Sequence, residues 1–207
     1  MVIEDRLTGR LKLSADVLDA DAEQMLRFQA GDETAFEILV QRYRRPLSGY
    51  MDRMLQNSPV SDELTQEAFL RVYLSRRRYR PTARFSTWLY RIATRLALNY
   101  LRDHRHERRQ LSLDQPSPVT ERPPEAASPA PGQEGEMLAD ERCRRIRRSV
   151  AALPERQRTA VILHKYQEMD YRAIGETLQI SVNATKSLLF RAYETLRREL
   201  RDLEEAR

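Results

Sequence analysis

Apolar residues along this chain recur at intervals of three and four, with no sustained alternation of the kind that marks a half-buried strand. The pattern predicts helices throughout and no strands. A first helix follows Asp21 and stops at Gly31. A second starts after Asp32 and carries Phe36, Leu39, Val40, Tyr43, Leu47, Tyr50, Met51 and Met54 on one stripe, with Pro46 expected to bend it. Beyond Ser58-Pro59 a third begins near Asp62. It turns Leu64, Ala68 and Val72 inward and leaves an acidic outer surface of Asp62, Glu63, Gln66 and Glu67, with Leu70.

The fourth helix, about 86–105, is the most informative. At about 100° per residue, Leu89, Ile92, Ala93, Leu96 and Tyr100 share one side, while Arg84, Arg91, Arg95 and Arg102 gather on another, flanked by Trp88 and Asn99. Arginine beside an aromatic ring and an amide suits phosphate contact, base stacking and base-edge hydrogen bonding. The plainer alternative is a Trp88 that caps the core beside arginines that only solvate the helix. The preceding loop, Tyr79-Arg80-Pro81-Thr82-Ala83-Arg84-Phe85, mixes aromatics with arginines in a composition able to hold an unstacked base.

In the second half, Leu153-Pro154 opens a helix running through Val161 and Leu163. Asp170 to Leu178, a short turn at Gln179-Ile180 and Ser181 as cap of a last long helix make a helix-turn-helix pattern. Gly175 is a small residue where the two helices must approach, and Ile180 can plug the core from the turn. On the last helix Thr185, Leu189, Ala192, Tyr193 and Leu196 cluster inward with Val182. Asn183, Ala184, Ser187, Phe190 and Arg191 point the other way. An outward Phe190 fits contact with thymine methyl groups, contact with a partner protein, or chance exposure of one apolar residue.

Between the halves lies a compositional break. Six of the chain's ten prolines fall within 116–131, among glycines and serines, so 111–136 reads as a mobile tether between two small helical domains, 21–110 and 137–205. Charge divides along the same lines: −5 over residues 1–70, +10 over 71–109, −6 over 110–141 and +6 over 142–207, giving the net +5. Two basic blocks separated by an acidic one suggest two polyanion-binding surfaces.

The longest apolar runs, Val150–Leu153 and Ala160–Leu163, are four residues each, against the roughly twenty that a membrane span needs. The opening Met-Val-Ile-Glu-Asp-Arg places acidic charge where a secretion signal wants a basic stretch, so cytoplasmic residence is expected. The one cysteine, Cys143, excludes a disulfide framework and a multi-cysteine zinc site, and reads as a small packing residue. An enzyme acting on nucleic acid is disfavoured: the six glycines form no phosphate-cradling cluster, and His104, His106 and His164 make no metal-ligand set. No catalytic residue, metal or cofactor is expected.

Three stretches carry a resemblance. They are Asp62-Glu-Leu-Thr-Gln-Glu-Ala-Phe-Leu-Arg-Val-Tyr73, Arg84-Phe-Ser-Thr-Trp-Leu-Tyr-Arg-Ile-Ala-Thr-Arg-Leu-Ala-Leu-Asn-Tyr-Leu-Arg102, and Leu153-Pro-Glu-Arg-Gln-Arg158 with the helix-turn-helix through Lys186-Ser-Leu-Leu-Phe-Arg-Ala192. Over about 25–110 and 140–200 the chain resembles the extracytoplasmic-function (ECF) sigma factors of bacterial RNA polymerase. The resemblance implies a subunit that joins core polymerase through the beta-prime clamp and the beta subunit, and directs it to promoter DNA. It implies clamp binding by Asp62, Glu63, Gln66, Glu67 and Leu70. Capture and melting of the minus-ten element would fall to Tyr79, Arg80, Arg84, Phe85, Ser86, Trp88, Arg91, Arg95 and Asn99. Reading of the minus-thirty-five element would fall to Ser181, Asn183, Ala184, Lys186, Ser187, Phe190 and Arg191. It also implies silencing by a cognate anti-sigma protein.

The chain departs from the family at Arg95, often Asn; at Asn99, often Asp; and at Leu188 and Tyr193, both often Arg. The last helix therefore makes fewer phosphate contacts than is usual. A competing reading is a helix-turn-helix regulator that never joins polymerase. It accounts for 142–207 but leaves the acidic helix at Asp62 and the Trp88 helix without a task.

Overall fold

The computed structural model describes residues 19–111 and 134–201, with side chains over 19–104 and 141–201. Among the described residues there are eight α-helices and no strand: α1 (Ala20–Gln29), α2 (Glu33–Leu55), α3 (Ser58–Ser75), α4 (Phe85–Leu111), α5 (Glu134–Ala152), α6 (Glu155–Tyr166), α7 (Tyr171–Leu178) and α8 (Val182–Glu199). A short 3-10 turn, Arg76–Arg78, follows α3. Most of the expected tether lies outside the described residues. Its ends do not, since Leu111 closes α4 and Glu134 opens α5.

Short polar side chains set several of the helix starts. Asp32 accepts from the backbone N–H of Thr34 at 3.1 Å, and its carboxylate also holds Arg27 at 2.6 Å across the α1–α2 turn, where Gly31 adopts φ 109°. Two starts differ from the periodicity-based expectation. Asp19, not Asp21, caps α1, accepting from Ala22 N–H at 2.7 Å. Asp21 is instead nearly buried and accepts from Arg42 and, at 2.7 Å, from the Tyr43 hydroxyl. Helix α3 begins at Ser58, four residues ahead of Asp62, because Asn57 supplies the cap and Pro59 fits the first turn, where no N–H is needed. Helix α2 runs unbroken through Pro46.

Helices α1 to α4 surround one apolar centre, with Met25, Leu39, Leu47, Tyr50 and Leu89 wholly buried and Phe28 stacked on Phe36 at 4.6 Å. Helices α6 to α8 form a second, around Ile162, Ile174, Leu189 and Ala192. In the α7–α8 turn Gln179 takes the left-handed conformation, φ 57°, and Ile180 N–H bonds Gly175 C=O at 2.9 Å. A Cβ on Gly175 would stand 2.9 Å from the Ile180 carbonyl oxygen, which is the close approach that requires glycine there. Cys143, expected to be packed, is exposed on α5 because its stretch of that helix faces solvent.

The two halves pack on each other, α4 against α7 and α2 against α6, and their buried residues form one continuous core. Tyr90 of α4 is 2% exposed, and its hydroxyl donates to the Gln167 amide oxygen beyond α6. The Thr159 hydroxyl lies 3.5 Å from Met54 Sδ, and the Arg53 guanidinium sits 4.1 Å from the centre of the Tyr166 ring. Helical periodicity places each of these residues on a face but does not say which face meets which.

Candidate functional site

Three separate surfaces carry the residues singled out in the sequence. On α3, Asp62, Glu63, Gln66 and Leu70 are exposed and Glu67 is half-buried. The face is less acidic than a count of carboxylates suggests. Arg71 Nε lies 2.7 Å from Glu67, an i,i+4 pair that neutralises part of it, and Asp62 accepts from Ser48 at 3.3 Å. One residue of this face escaped the sequence reading. Leu74, four positions after Leu70, is 69% exposed, so two leucines stand unburied one helical turn apart. Their i,i+4 spacing outside the Leu64, Ala68, Val72 stripe was the available signal. A groove of about 900 Å³ lies between α2 and α3, walled by Val40, Arg45, Thr65 and Phe69, and includes Asp62 and Gln66 of this face but neither leucine.

On α4 the expected residues divide. Tyr79 and Phe85 are 2% and 0% exposed, so neither ring can hold a base, a correction to the reading of the loop as an aromatic pocket. Their apolar faces are better buried in the bundle: Phe85 meets Tyr43 edge-on at 5.4 Å, and Tyr79 meets Trp88 at 4.9 Å. Burial pushes the Tyr79 hydroxyl well above the usual phenol range, as it does those of Tyr50 and Tyr90. Trp88 is half-buried on this support, and Ser86 and Asn99 are half-buried. Arg80, Arg84, Arg91 and Arg95 are exposed. What remains outward is a partly open indole among four guanidinium groups and an amide, a surface able to stack a base and grip phosphates. Opposite it stands the other half of the protein, since Trp88, Arg91, Arg95 and Asn99 share a cleft of about 650 Å³ with Arg156, Leu178 and Gln179.

On α8, Thr185, Leu189, Ala192 and Leu196 are buried, while Asn183, Ala184, Lys186, Ser187, Phe190 and Arg191 are exposed. Val182, expected inward, is 41% exposed, and Thr185 of the same turn, wholly buried beside Gly175 of α7, takes the inward place. Ser181 serves the helix itself, its hydroxyl accepting from Ala184 N–H at 3.2 Å. Ser187 donates to Asn183 C=O at 3.0 Å, which leaves its oxygen free to accept. Phe190 is 68% exposed on this polar face. Beneath it, Tyr193 is half-buried, with its hydroxyl 2.7 Å from His164 Nδ1. Burial, and to a lesser extent the neighbouring Lys165 charge, hold His164 below its ordinary pKa, so the imidazole is uncharged at neutral pH. Among the described residues no three histidine, cysteine or acidic side chains group as metal ligands, and no helix is long and apolar enough to cross a membrane.

Sigma-70 region 2 matches residues 39–107 of the chain, and Sigma-70, region 4, matches residues 143–196. The RNA polymerase sigma-H factor of Pseudomonas aeruginosa is 30% identical over 187 residues, covering 89% of this chain and 96% of that protein. The ECF RNA polymerase sigma factor SigW of Bacillus subtilis is 30% identical, over 87% of this chain and 97% of its own length. The RNA polymerase sigma factor CarQ of Myxococcus xanthus is 34% identical, covering 87% and 97%. Among solved structures, CnrH in complex with the cytosolic domain of CnrY superposes with a TM-score of 0.64 at 19% identity, covering 89% of this chain and 99% of that one. The sigma factor RpoE bound to the anti-sigma factor NepR from Bartonella quintana gives 0.60 at 16% identity, covering 80% and 96%.

Proposed function

The chain belongs to the extracytoplasmic-function sigma factors, subunits that bind core RNA polymerase and direct it to promoters, and from that premise we propose how its three surfaces divide the work. The α3 face, with Asp62, Glu63, Gln66, Glu67 and Leu70 and now Leu74, docks on the beta-prime clamp. Exposed leucines supply area to bury and the carboxylates supply register, the usual division at an interface. The outward part of α4 takes the minus-ten element. Trp88 stacks an unpaired base, Asn99 reads an edge, and Arg80, Arg84, Arg91 and Arg95 hold the strand. Stacking on an aromatic gives about 1–3 kcal/mol per base, comparable to the cost of unstacking one, so binding alone tips the duplex toward strand separation. Tyr79 and Phe85 set the height and tilt of the indole from below.

Helix α8 enters the major groove at the minus-thirty-five element. Asn183 and Ser187 face base edges, Phe190 meets thymine methyl groups, and Lys186 and Arg191 meet phosphates. Ser181 orders the first turn, so that Ala184 and Asn183 present correctly. Bond making belongs to the polymerase; this chain acts by binding and works in the cytoplasm where the polymerase is. Its fold matches that of the sigma factor RpoE solved with the anti-sigma factor NepR, which supports a cognate anti-sigma protein that masks the polymerase-binding face.

The observation that carries this reading is the coincidence, in one chain of this family, of an exposed acidic and leucine-bearing helix face, a Trp88–arginine face and a polar α8 face. Transcription reconstituted with core polymerase on a genomic DNA library tests it. Discrete initiation that needs the chain is expected, whereas binding to DNA without polymerase-dependent initiation would return the reading to a simple helix-turn-helix regulator. In the same system Trp88→Ala should lower permanganate reactivity of promoter thymines by at least about fivefold, the loss of one stacked base, while changing closed-complex binding little.

A further inference from the structure

We propose that the hollow between α2, α5 and α6 is a binding site for a nucleotide carrying two or three phosphates. The surfaces on α3, α4 and α8 make no use of it.

The basic block at 142–207 has two parts. Helix α8 turns its cations toward the proposed DNA face, but α5 carries Arg142, Arg144, Arg145, Arg147 and Arg148, five arginines in seven residues. Val150, 8% exposed, enters the core, and Arg147 and Arg144 precede it by three and six residues, so they lie on its side of the helix. There, with Arg148, they wall a hollow of about 580 Å³ whose other walls include Arg53 and Asp52 of α2 and Tyr166 of α6. Four guanidinium groups against one carboxylate make the hollow strongly cationic, the complement of a di- or triphosphate chain.

The charge is poorly compensated from within the protein. Arg144 reaches Glu141 only at 3.6 Å, and among the described residues Arg147 and Arg148 make no ion pair. Like charges three and four positions apart on a helix repel, and an anion between them and Arg53 would turn that repulsion into attraction. Arg53 is already positioned. One terminal nitrogen donates to Gly49 C=O at 2.6 Å and the guanidinium lies 4.1 Å from the Tyr166 ring centre, which leaves further N–H groups to donate to a ligand.

Size and aromatic surface set the ligand class. The hollow exceeds what a lone phosphate fills and falls within the roughly 300–1,000 Å³ of small-molecule sites. Tyr166, 44% exposed, and the planar Arg53 guanidinium offer a stacking surface for a base, and the exposed Gln56 amide beside them can meet its edge. A DNA duplex fits less well, because the arginines converge on a hollow built by both halves and do not run along one helix face.

Isothermal titration calorimetry of the full chain with GTP, ATP, CTP, pyrophosphate and sulfate at matched ionic strength tests the site. Triphosphates should saturate one site with half-saturation below about 1 mM, pyrophosphate should bind about tenfold more weakly, the loss of one stacked base, and sulfate should not saturate. At ten times the half-saturating concentration the thermal unfolding midpoint should rise by about 3–5 °C. Arg147→Gln with Arg148→Gln should weaken triphosphate binding at least about tenfold and leave the ligand-free midpoint unchanged. Arg142→Gln with Arg197→Gln removes the same charge outside the hollow and should change binding by less than about twofold. Tyr166→Leu should weaken triphosphates about tenfold and pyrophosphate little. Absence of saturation by every triphosphate, or equal weakening by the two arginine pairs, would overturn the site and leave a solvated basic surface. Pyrophosphate binding as tight as GTP, or equal losses for both in Tyr166→Leu, would overturn recognition of a nucleotide. A short mixed-sequence duplex held through Arg147 and Arg148 at least about tenfold more tightly than GTP would overturn it in favour of DNA.

Discussion

Phe190→Ala offers a sharp test of how α8 is used, because this side chain costs the fold little and the proposed DNA contact much. Full burial of a phenylalanine is worth about 1.5–3 kcal/mol. With 68% of Phe190 exposed, roughly two thirds of that, about 1–2 kcal/mol, is available to a partner, and only a third is already used within the domain. The last third is largely offset by the better helix propensity of alanine. Stability should therefore change by no more than about 0.5 kcal/mol, while affinity for a duplex bearing the upstream element falls roughly 5–30-fold. The duplex would be selected from randomised DNA with the wild-type protein, affinity followed by fluorescence anisotropy, and stability by urea unfolding. Replacing individual thymines by uracil removes the methyl that Phe190 is proposed to touch. In the wild type one such replacement should weaken binding, and in Phe190→Ala the same replacement should be silent, since partners in contact are not additive. Additive losses at every thymine, or an unchanged affinity for the variant, would refute the contact and leave a protein partner as the occupant of this ring.

Three further outcomes follow from particular side chains. Charge reversal at Glu63 and Glu67 should lower core-polymerase affinity at least about tenfold in a pull-down, with less than about 0.5 kcal/mol lost in unfolding, since the exposed Glu67–Arg71 pair contributes little. Asp21→Asn should destabilise the protein by about 1–2 kcal/mol in urea, because a nearly buried carboxylate loses charge-assisted bonds to Tyr43 and Arg42, the latter discounted for the exposure of the guanidinium. His164 has a depressed pKa in the folded state, so it contributes stability above the ordinary imidazole pKa of about 6.5 and loses it as pH falls through the folded value. Thermal unfolding midpoints should fall between pH 7.5 and 5.5, and His164→Gln should flatten that slope.

Much of this protein is legible from periodicity and spacing alone. The inward Leu89, Ala93 and Leu96, the inward Leu189, Ala192 and Leu196, the outward Phe190 and Arg191 and the close approach at Gly175 follow from the 3.6-residue repeat and from what a turn between crossing helices requires. The helix starts at Asp19 and Ser58 were harder, because several neighbouring residues can serve as caps and only the fold decides which side chain is free to do so. Asp21 lost that role to a partner on α2 twenty-one residues away, a pairing no local pattern announces. Tyr79 and Phe85 look like base-binding aromatics in the sequence, because composition cannot tell a ring that faces solvent from one that supports its neighbour. The meeting of α4 with α7 and of α2 with α6 was decided by tertiary structure alone. An amphipathic helix specifies that a face must be covered, but apolar burial is non-directional, and the choice among candidate covers falls to shape and to a few polar pairs such as Tyr90 with Gln167.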